Sequence, residues 1–376
     1  MMGQLHWKWR YTGAIAACVG FGMLGCSPAV TDSETGEAGA SETAETDALP
    51  TVVATNGVLC DLTQQIAEDT VALTCLMEAG QDPHVYRPTP SDRQAIEEAD
   101  LVLYDGYDYA PGLIRMVEDA NTAGTKVAVY EAAVPTPLMV EPHGHDHGDH
   151  GHGDDGHGHG DDDHGHGDDD HGHGHGDDDH GHGETAAGEM VPDPHVYHSA
   201  PNNGAIAMVI AAQLEAVNPD QGDRYATNAE ELASQFISLD GWIQAQVDTV
   251  AVGDRRLVTT HDAFRYFADA YGFEVAGAIS GLSTQEQPTA TRITEMVETV
   301  RAAQVKAIFA EDTTNPQLIQ TVARDAGVEV PETPLFVAGP GAPGSGGETV
   351  QAMLVSNTCV IVNGLGGQCD PSTAPL

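Results

Sequence analysis

The pentapeptide Asp-Pro-His-Val-Tyr occurs twice, at residues 82–86 and 193–197, and between the copies residues 143–183 contain only histidine, glycine and aspartate. A stretch with no apolar side chain cannot contribute to a core, and its composition predicts disorder. Whatever folds must therefore assemble from sequence on either side of the tract. Fourteen of the nineteen histidines lie within it. Alternating His-Gly offers many weak sites for zinc, and the Asp blocks would raise the local cation concentration. The tract and the pentapeptides need not do the same job.

The N-terminus sets the compartment. Lys8 and Arg10 precede an apolar run from Ala14 to Leu24, followed by Gly25, Cys26 and Ser27. A basic n-region, a short h-region and small residues before a cysteine read as a secretory signal over residues 1–25. The run is too short for a permanent membrane span. "MLGC" has the form of a lipobox, which would place a lipid anchor on Cys26; an ordinary cleaved signal is the alternative and implies the same compartment. Residues 26–49 are Ser/Thr/Glu/Ala-rich and read as a disordered acidic tether. Of six cysteines, Cys60, Cys75, Cys359 and Cys369 then remain for an oxidising compartment. Sequence proximity suggests Cys60–Cys75 and Cys359–Cys369, although three pairings are open, and the lack of a C-x-x-C spacing argues against a thiolate zinc site. The formal charge of −44, to which the tract alone contributes 13 Asp, argues against nucleic acid or anionic lipid as a partner and favours cations.

Without the tether and tract, about 285 residues remain, enough for two domains. From Pro50, "TVVATN", "TVALTCLME", "DLVLYDG" and "TKVAVYEA" read as strands alternating with helices, one of them "TPSDRQAIEEA" with Ser91 as candidate cap. The rhythm returns after residue 254: "RRLVTT", "FEVAGAIS", "VKAIFAED" and "TPLFVAG" are strands between helical segments. Such alternation predicts an α/β fold of two Rossmann-like lobes with parallel sheets, residues 50–221 and 253–376. Residues 222–252 carry Leu232, Phe236, Leu239, Trp242, Ile243 and Val247 at helical spacing and predict one long linking helix. Ligands of open α/β sheets sit beyond the carboxyl ends of the strands, and in two lobes those ends can face one cleft.

Apart from His6, removed with the signal, the histidines outside the tract are His84, His195, His198 and His261. All four fall in predicted loops at strand or helix ends, which weakens the alternative of core histidines. The Pro before His84 and His195 stiffens the turn that presents each ring. Asp82 and Asp193 either orient those rings or merely cap the turns. Three neutral imidazoles favour zinc or copper over manganese, magnesium or calcium, and zinc accepts three protein ligands plus water. There is no H-E-x-x-H, no nucleophile elbow and no evident general base, so binding is a better reading than catalysis.

The ordered set "DPHVYRPTPSD…ADLVLYDG", a His-rich loop, "DPHVY…N…A", "TTHDAFRYFADAYG" and the ending "PGAPGSGGETVQAML" resembles the cluster A-I solute-binding proteins of bacterial metal ABC transporters, and within them the ZnuA-type zinc branch. The likeness covers roughly residues 50–360. It implies metal ligands at His84, His195 and His261, with histidine rather than glutamate at the third position pointing to zinc. The family's fourth ligand, an Asp, is replaced by Ala338; water would fill its place, with His198 or a tract histidine as outside options. Glu311 and Asp312 either supply charge behind the ligands or form a solvated strand end. The ring of His198, three residues beyond His195 along an irregular turn, is expected to point elsewhere. The resemblance further implies a monomeric periplasmic lipoprotein that carries Zn2+ to a membrane permease and its ATPase, and not an enzyme. Manganese or ferrous iron as cargo, or a zinc buffer or adhesin without a transporter, are the competing readings.

Overall fold

The computed structural model describes residues 48–141, 190–285 and 288–376. The expected signal, nearly all of the tether, and the His/Asp/Gly tract lie outside the described residues. Among the described residues, no helix is long and apolar enough to cross a membrane.

The first half is built on β1 (Thr51–Ala54), β2 (Ala72–Cys75), β3 (Leu101–Tyr104) and β4 (Thr125–Ala128), all parallel, in the order β2-β1-β3-β4. Successive residues of a strand face opposite sides of a sheet. Val52 is buried in the cluster of Leu59, Leu62 and Ile206, whereas Val53 joins that of Ile96 and Val117, so both faces are covered. A parallel sheet needs this double cover, and hence its strands read as continuous apolar runs. The covering helices are α1 (Gly57–Ala67), α2 (Pro90–Glu98), α3 (Pro111–Asp119), the short α4 (Val129–Ala133) and α5 (Ala200–Val217).

The structure corrects two local expectations and adds one element. Thr89, not Ser91, caps α2: its hydroxyl receives Asp92 N–H while the Asp92 carboxylate receives Thr89 N–H, and Pro90 takes the first helical position. The strand read through "TKVAVYEA" stops at Ala128, because Tyr130 N–H turns to the carbonyl of Asp105 and the chain enters α4. A two-residue antiparallel ladder, β5 (Met139–Val140) with β6 (Val191–Pro192), was not anticipated; it joins the chain on the two sides of residues 142–189.

The long helix is observed as α6 (Gly222–Val247), with Tyr225, Leu232, Phe236, Leu239, Ile243 and Val247 buried along one stripe. It ends five residues earlier than the sequence suggested. The second half follows with β7 (Arg256–Thr259), α7 (Arg265–Tyr271), β8 (Glu274–Ala278), α8 (Ala290–Ala303), α9 (Gln317–Ala326) and α10 (Val350–Gly364). β7 and β8 are parallel neighbours. The predicted strands "VKAIFAED" and "TPLFVAG" pair through isolated parallel bridges, Thr259 with Phe309, Ala307 with Glu329 and Glu311 with Leu335. Irregular as they are, they extend the sheet, and Glu311 emerges at its carboxyl edge beside the end of β7. α10, which the sequence reading passed over, packs Met353, Leu354 and Ile361 into the same core as Leu62, Phe236 and Leu257. That core runs continuously from β1 to α10.

Disulfides join Cys60 to Cys75 and Cys359 to Cys369. The first ties α1 to the end of β2, the strand that leads to His84.

Candidate metal centre

His84, His195 and His261 converge from three separate chain segments. His84 sits in the single turn of 3-10 helix at Pro83–Val85 that follows β2. His195 precedes a similar turn, Val196–His198, at the entry to α5. His261 lies two residues beyond the end of β7. The Nε2 atoms of His84 and His195 are 3.3 Å apart, and those of His195 and His261 are 3.4 Å apart. One ligand atom from each of the three falls within 4.8 Å of the others. The residues are 6, 0 and 2 % exposed, so three nitrogens share one nearly dry point.

Each ring is held from behind by a different group. Glu311 grips His261 twice, accepting from Nδ1 at 2.5 Å and from the backbone N–H at 3.0 Å. Asp193 Oδ1 accepts both the backbone N–H and Nδ1 of His195, each at 2.9 Å. It therefore caps the turn and orients the ring together. Asp82 caps His84 N–H at 3.0 Å but leaves that ring to a backbone hydrogen bond at Tyr109. With Nδ1 engaged in this way on His195 and His261, Nε2 is the atom offered to the shared point.

Burial pushes His84 well below the usual imidazole range, and the charges of His195 and His261 add to the shift. His195 is lowered by burial and then by His261. For His261 burial is again the largest single influence and acts downward, but the Glu311 carboxylate, joined by the charges of Asp82 and Asp262, turns the net shift upward. Burial lifts Asp193 to about 7, against the opposing His195 N–H bond and the positive charges of Arg265 and His261.

His198 is buried but turned away, stacked on Phe264 at 4.3 Å, and is not part of the converging set. Ala338 offers no side-chain ligand; its carbonyl lies 3.5 Å from the Tyr109 hydroxyl. Asp312 accepts Val337 N–H at 3.1 Å and is raised by burial to about 6, so it braces the 337 segment rather than an imidazole. Gly339 allows the next step of that segment: at φ 135° it passes against Val58 at the start of α1, and an added Cβ would lie 3.3 Å from Val58 N.

Sequence reasoning missed an aromatic wall. The Tyr109 ring meets His84 and His195 edge-on, with centroids 5.4 and 5.6 Å away. Its hydroxyl bonds the Tyr197 hydroxyl at 2.7 Å, and Tyr197 donates to the Val337 carbonyl. Tyr197 was visible as the last residue of the second pentapeptide. Tyr109, in a loop, carried no signal.

Residues 52–364 match the family described as zinc-uptake complex component A, periplasmic. The manganese-binding lipoprotein MntA of Halalkalibacterium halodurans is 27% identical over 314 residues, spanning 84% of this chain and 88% of that protein. The iron ABC transporter substrate-binding lipoprotein MtsA of Streptococcus pyogenes serotype M1 is 27% identical over 329 residues, 86% and 91% of the two chains. Among solved structures, the periplasmic zinc-binding protein TroA of Treponema pallidum superposes with a TM-score of 0.68 at 24% identity, covering 84% of this chain and 99% of that one. At that identity the likeness establishes the fold.

Proposed function

The chain belongs to the family of periplasmic component A of the zinc-uptake complex, and from that premise we propose that it captures Zn2+ at His84, His195 and His261 and delivers it to an ABC permease and its ATPase. The observation that carries the choice of ion is the convergence of three imidazoles with no carboxylate among them, and two of the nitrogen spacings are compatible with it. Imidazole nitrogens bound at about 2.0–2.1 Å and separated by a tetrahedral angle lie about 3.3–3.4 Å apart. The spacings of 3.3 and 3.4 Å agree with the tetrahedral value. Such a donor set suits zinc better than manganese. Water completes the tetrahedron in this reading, as Ala338 supplies nothing.

The reading extends to the setting. The relatives named above as lipoproteins support export and attachment through Cys26, with the folded part acting as a monomer. Residues 50–221 and 253–376 would be the two lobes about the site, joined by the helical segment 222–252. Manganese or iron, the metals in the names of MntA and MtsA, is the second reading.

Calorimetric titration with Zn2+ and with Mn2+ tests the proposal, using the full chain, a variant lacking residues 143–183, and His195→Ala in each. One tight zinc site that survives loss of the tract, disappears in His195→Ala and binds manganese weakly is the expected result. Tight manganese binding at the same site would transfer the cargo to the second reading. A tight site that vanishes with the tract alone would leave a zinc buffer.

A further inference from the structure

The His84 turn has two polar handles left after Asp82 caps it: the second carboxylate oxygen of Asp82 and the carbonyl of His84 itself. Both are taken by consecutive residues about 200 positions away. The Thr284 hydroxyl donates to Asp82 Oδ2, and Gln285 Nε2 donates to the His84 carbonyl at 2.8 Å. These two residues lie in the loop that leaves β8. The same loop is stitched to the His261 segment by backbone hydrogen bonds, Ser280 N–H to the Thr260 carbonyl at 3.0 Å and Asp262 N–H to the Gly281 carbonyl at 3.1 Å. A continuous strap therefore runs from the His261 segment through residues 280–285 to the His84 turn. It bridges the one ligand of the second half and the first ligand of the first half.

The strap lies at the rim of the site. Thr284 is half-buried and Gln285 is exposed, whereas all three imidazoles are buried. Neither side chain is among the three that present Nε2 to the shared point. We infer that Thr284 and Gln285 are positioning residues that latch the His84 turn against the His261 segment and so slow release of the captured ion. The inference rests on the three-histidine reading of the site. A latch of this kind acts after arrival: to let the ion out, His84 must separate from His261, and both strap hydrogen bonds must break with it. A net hydrogen bond of ordinary strength is worth about 2- to 12-fold in a rate or equilibrium constant. If the two contributions add, loss of both is worth about 5- to 150-fold.

The test is release of Zn2+ from the full chain loaded with one equivalent, followed by stopped flow into excess chromophoric chelator, with association measured separately. Thr284→Val, Gln285→Ala and the double variant are compared with Thr284→Ser, which keeps the hydroxyl, and with His195→Ala, which identifies the slow phase belonging to the site. The expected result is faster release in the first three, association changed by no more than about twofold, an unchanged melting temperature of the metal-free protein, and recovery in Thr284→Ser. Unaltered release in the double variant would overturn the latch while leaving the site intact. Slower association with unaltered release would overturn it too, because the loop would then shape the site before the ion arrives. A slow phase that persists in His195→Ala would remove the three-histidine reading and the latch with it.

Discussion

Replacing Glu311 with Gln isolates what a buried carboxylate contributes to a metal-binding imidazole. Glu311 accepts from two donors of His261, Nδ1 and the backbone N–H. Glutamine fills the same volume but offers one oxygen and one NH2, so one of those donors must face another donor. Leaving a buried polar group without a partner costs about 1–3 kcal/mol, and changes directly behind metal-bound histidines typically weaken metal binding by about 10- to 100-fold. We expect that loss for Zn2+ near neutral pH. The pH profile carries the sharper expectation. In the native site Glu311 raises His261, so protons compete with the ion at and above about 6.5. In Glu311→Gln the largest upward influence is gone and burial, which lowers His261, is opposed only by the more remote charges of Asp82 and Asp262, so competition begins at more acidic pH. The penalty should therefore shrink as pH falls, and the two affinity curves should converge. Competition titration against a chromophoric zinc chelator from about pH 5.5 to about 8.5 measures both curves. Parallel curves would refute the claim that Glu311 sets the protonation of His261. An unchanged affinity throughout would refute its role in holding the ring.

The depressed values of His84 and His195 bear on the metal-free protein: both rings stay neutral when folded but take up protons near 6.5 when unfolded, so the stability they permit above that value is lost as pH falls toward their folded values. His261, raised, contributes with the opposite sign, and urea denaturation of the apo protein with His261→Asn as comparison should show a steeper acid loss once that offset is removed. Opening the Cys60–Cys75 bridge, which closes a separation of 15 residues, should cost about 3 kcal/mol, read as a lower denaturation midpoint in the Cys60→Ser/Cys75→Ser variant with the second disulfide intact. The two pentapeptide aspartates should respond unequally to Asn: Asp193→Asn loses the charge that orients His195 and should weaken Zn2+ binding about 10- to 100-fold. Asp82→Asn keeps an acceptor for His84 N–H and should change equilibrium affinity by less than about tenfold. Equal losses in the two variants would contradict the separate roles seen in the structure.

Alternation of β-branched runs with amphipathic helices made the parallel α/β architecture legible, and the stripe from Leu232 to Val247 gave the long helix. What failed was local. "VKAIFAED" and "TPLFVAG" have strand composition, yet tertiary placement limits them to isolated bridges, because their buried residues are fixed by packing against β7 and α10 rather than by a full ladder. α10 escaped notice because it is apolar on nearly all sides: Val350, Met353, Leu354, Val355, Ile361 and Val362 are all buried, so no amphipathic period marks it. At the site, histidines in loops were readable since their residue type is informative in itself. Glu311 was visible only as one of two acids at a strand end, and sequence could not separate it from Asp312. Adjacent residues on an extended segment point to opposite sides, and here one meets His261 while the other meets Val337. Thr284 and Gln285 were illegible, because ordinary polar residues in a loop acquire meaning only from a partner 200 residues away.

The repeated pentapeptide shows how one sequence solution can serve two mechanical ends. In both copies proline stiffens the turn and aspartate caps it, but only Asp193 also reaches its ring. The first copy is more open, with Val85 47% exposed and Val196 fully buried. The more open turn is thus the one restrained from outside, by the strap, and the buried turn is restrained from within. Charge follows the same division. Behind the buried ligands stand two carboxylates, Asp193 and Glu311, in a place where unpaired charge is costly. Without a cation the site meets this cost with protons, which is why Asp193 is raised to about 7 and His261 is raised above its ordinary value. A divalent ion on the three nitrogens would supply the same positive charge and displace those protons. The carboxylates that make the site favourable for a doubly charged ion are therefore also what would make its capture release protons, and what would let acid expel it.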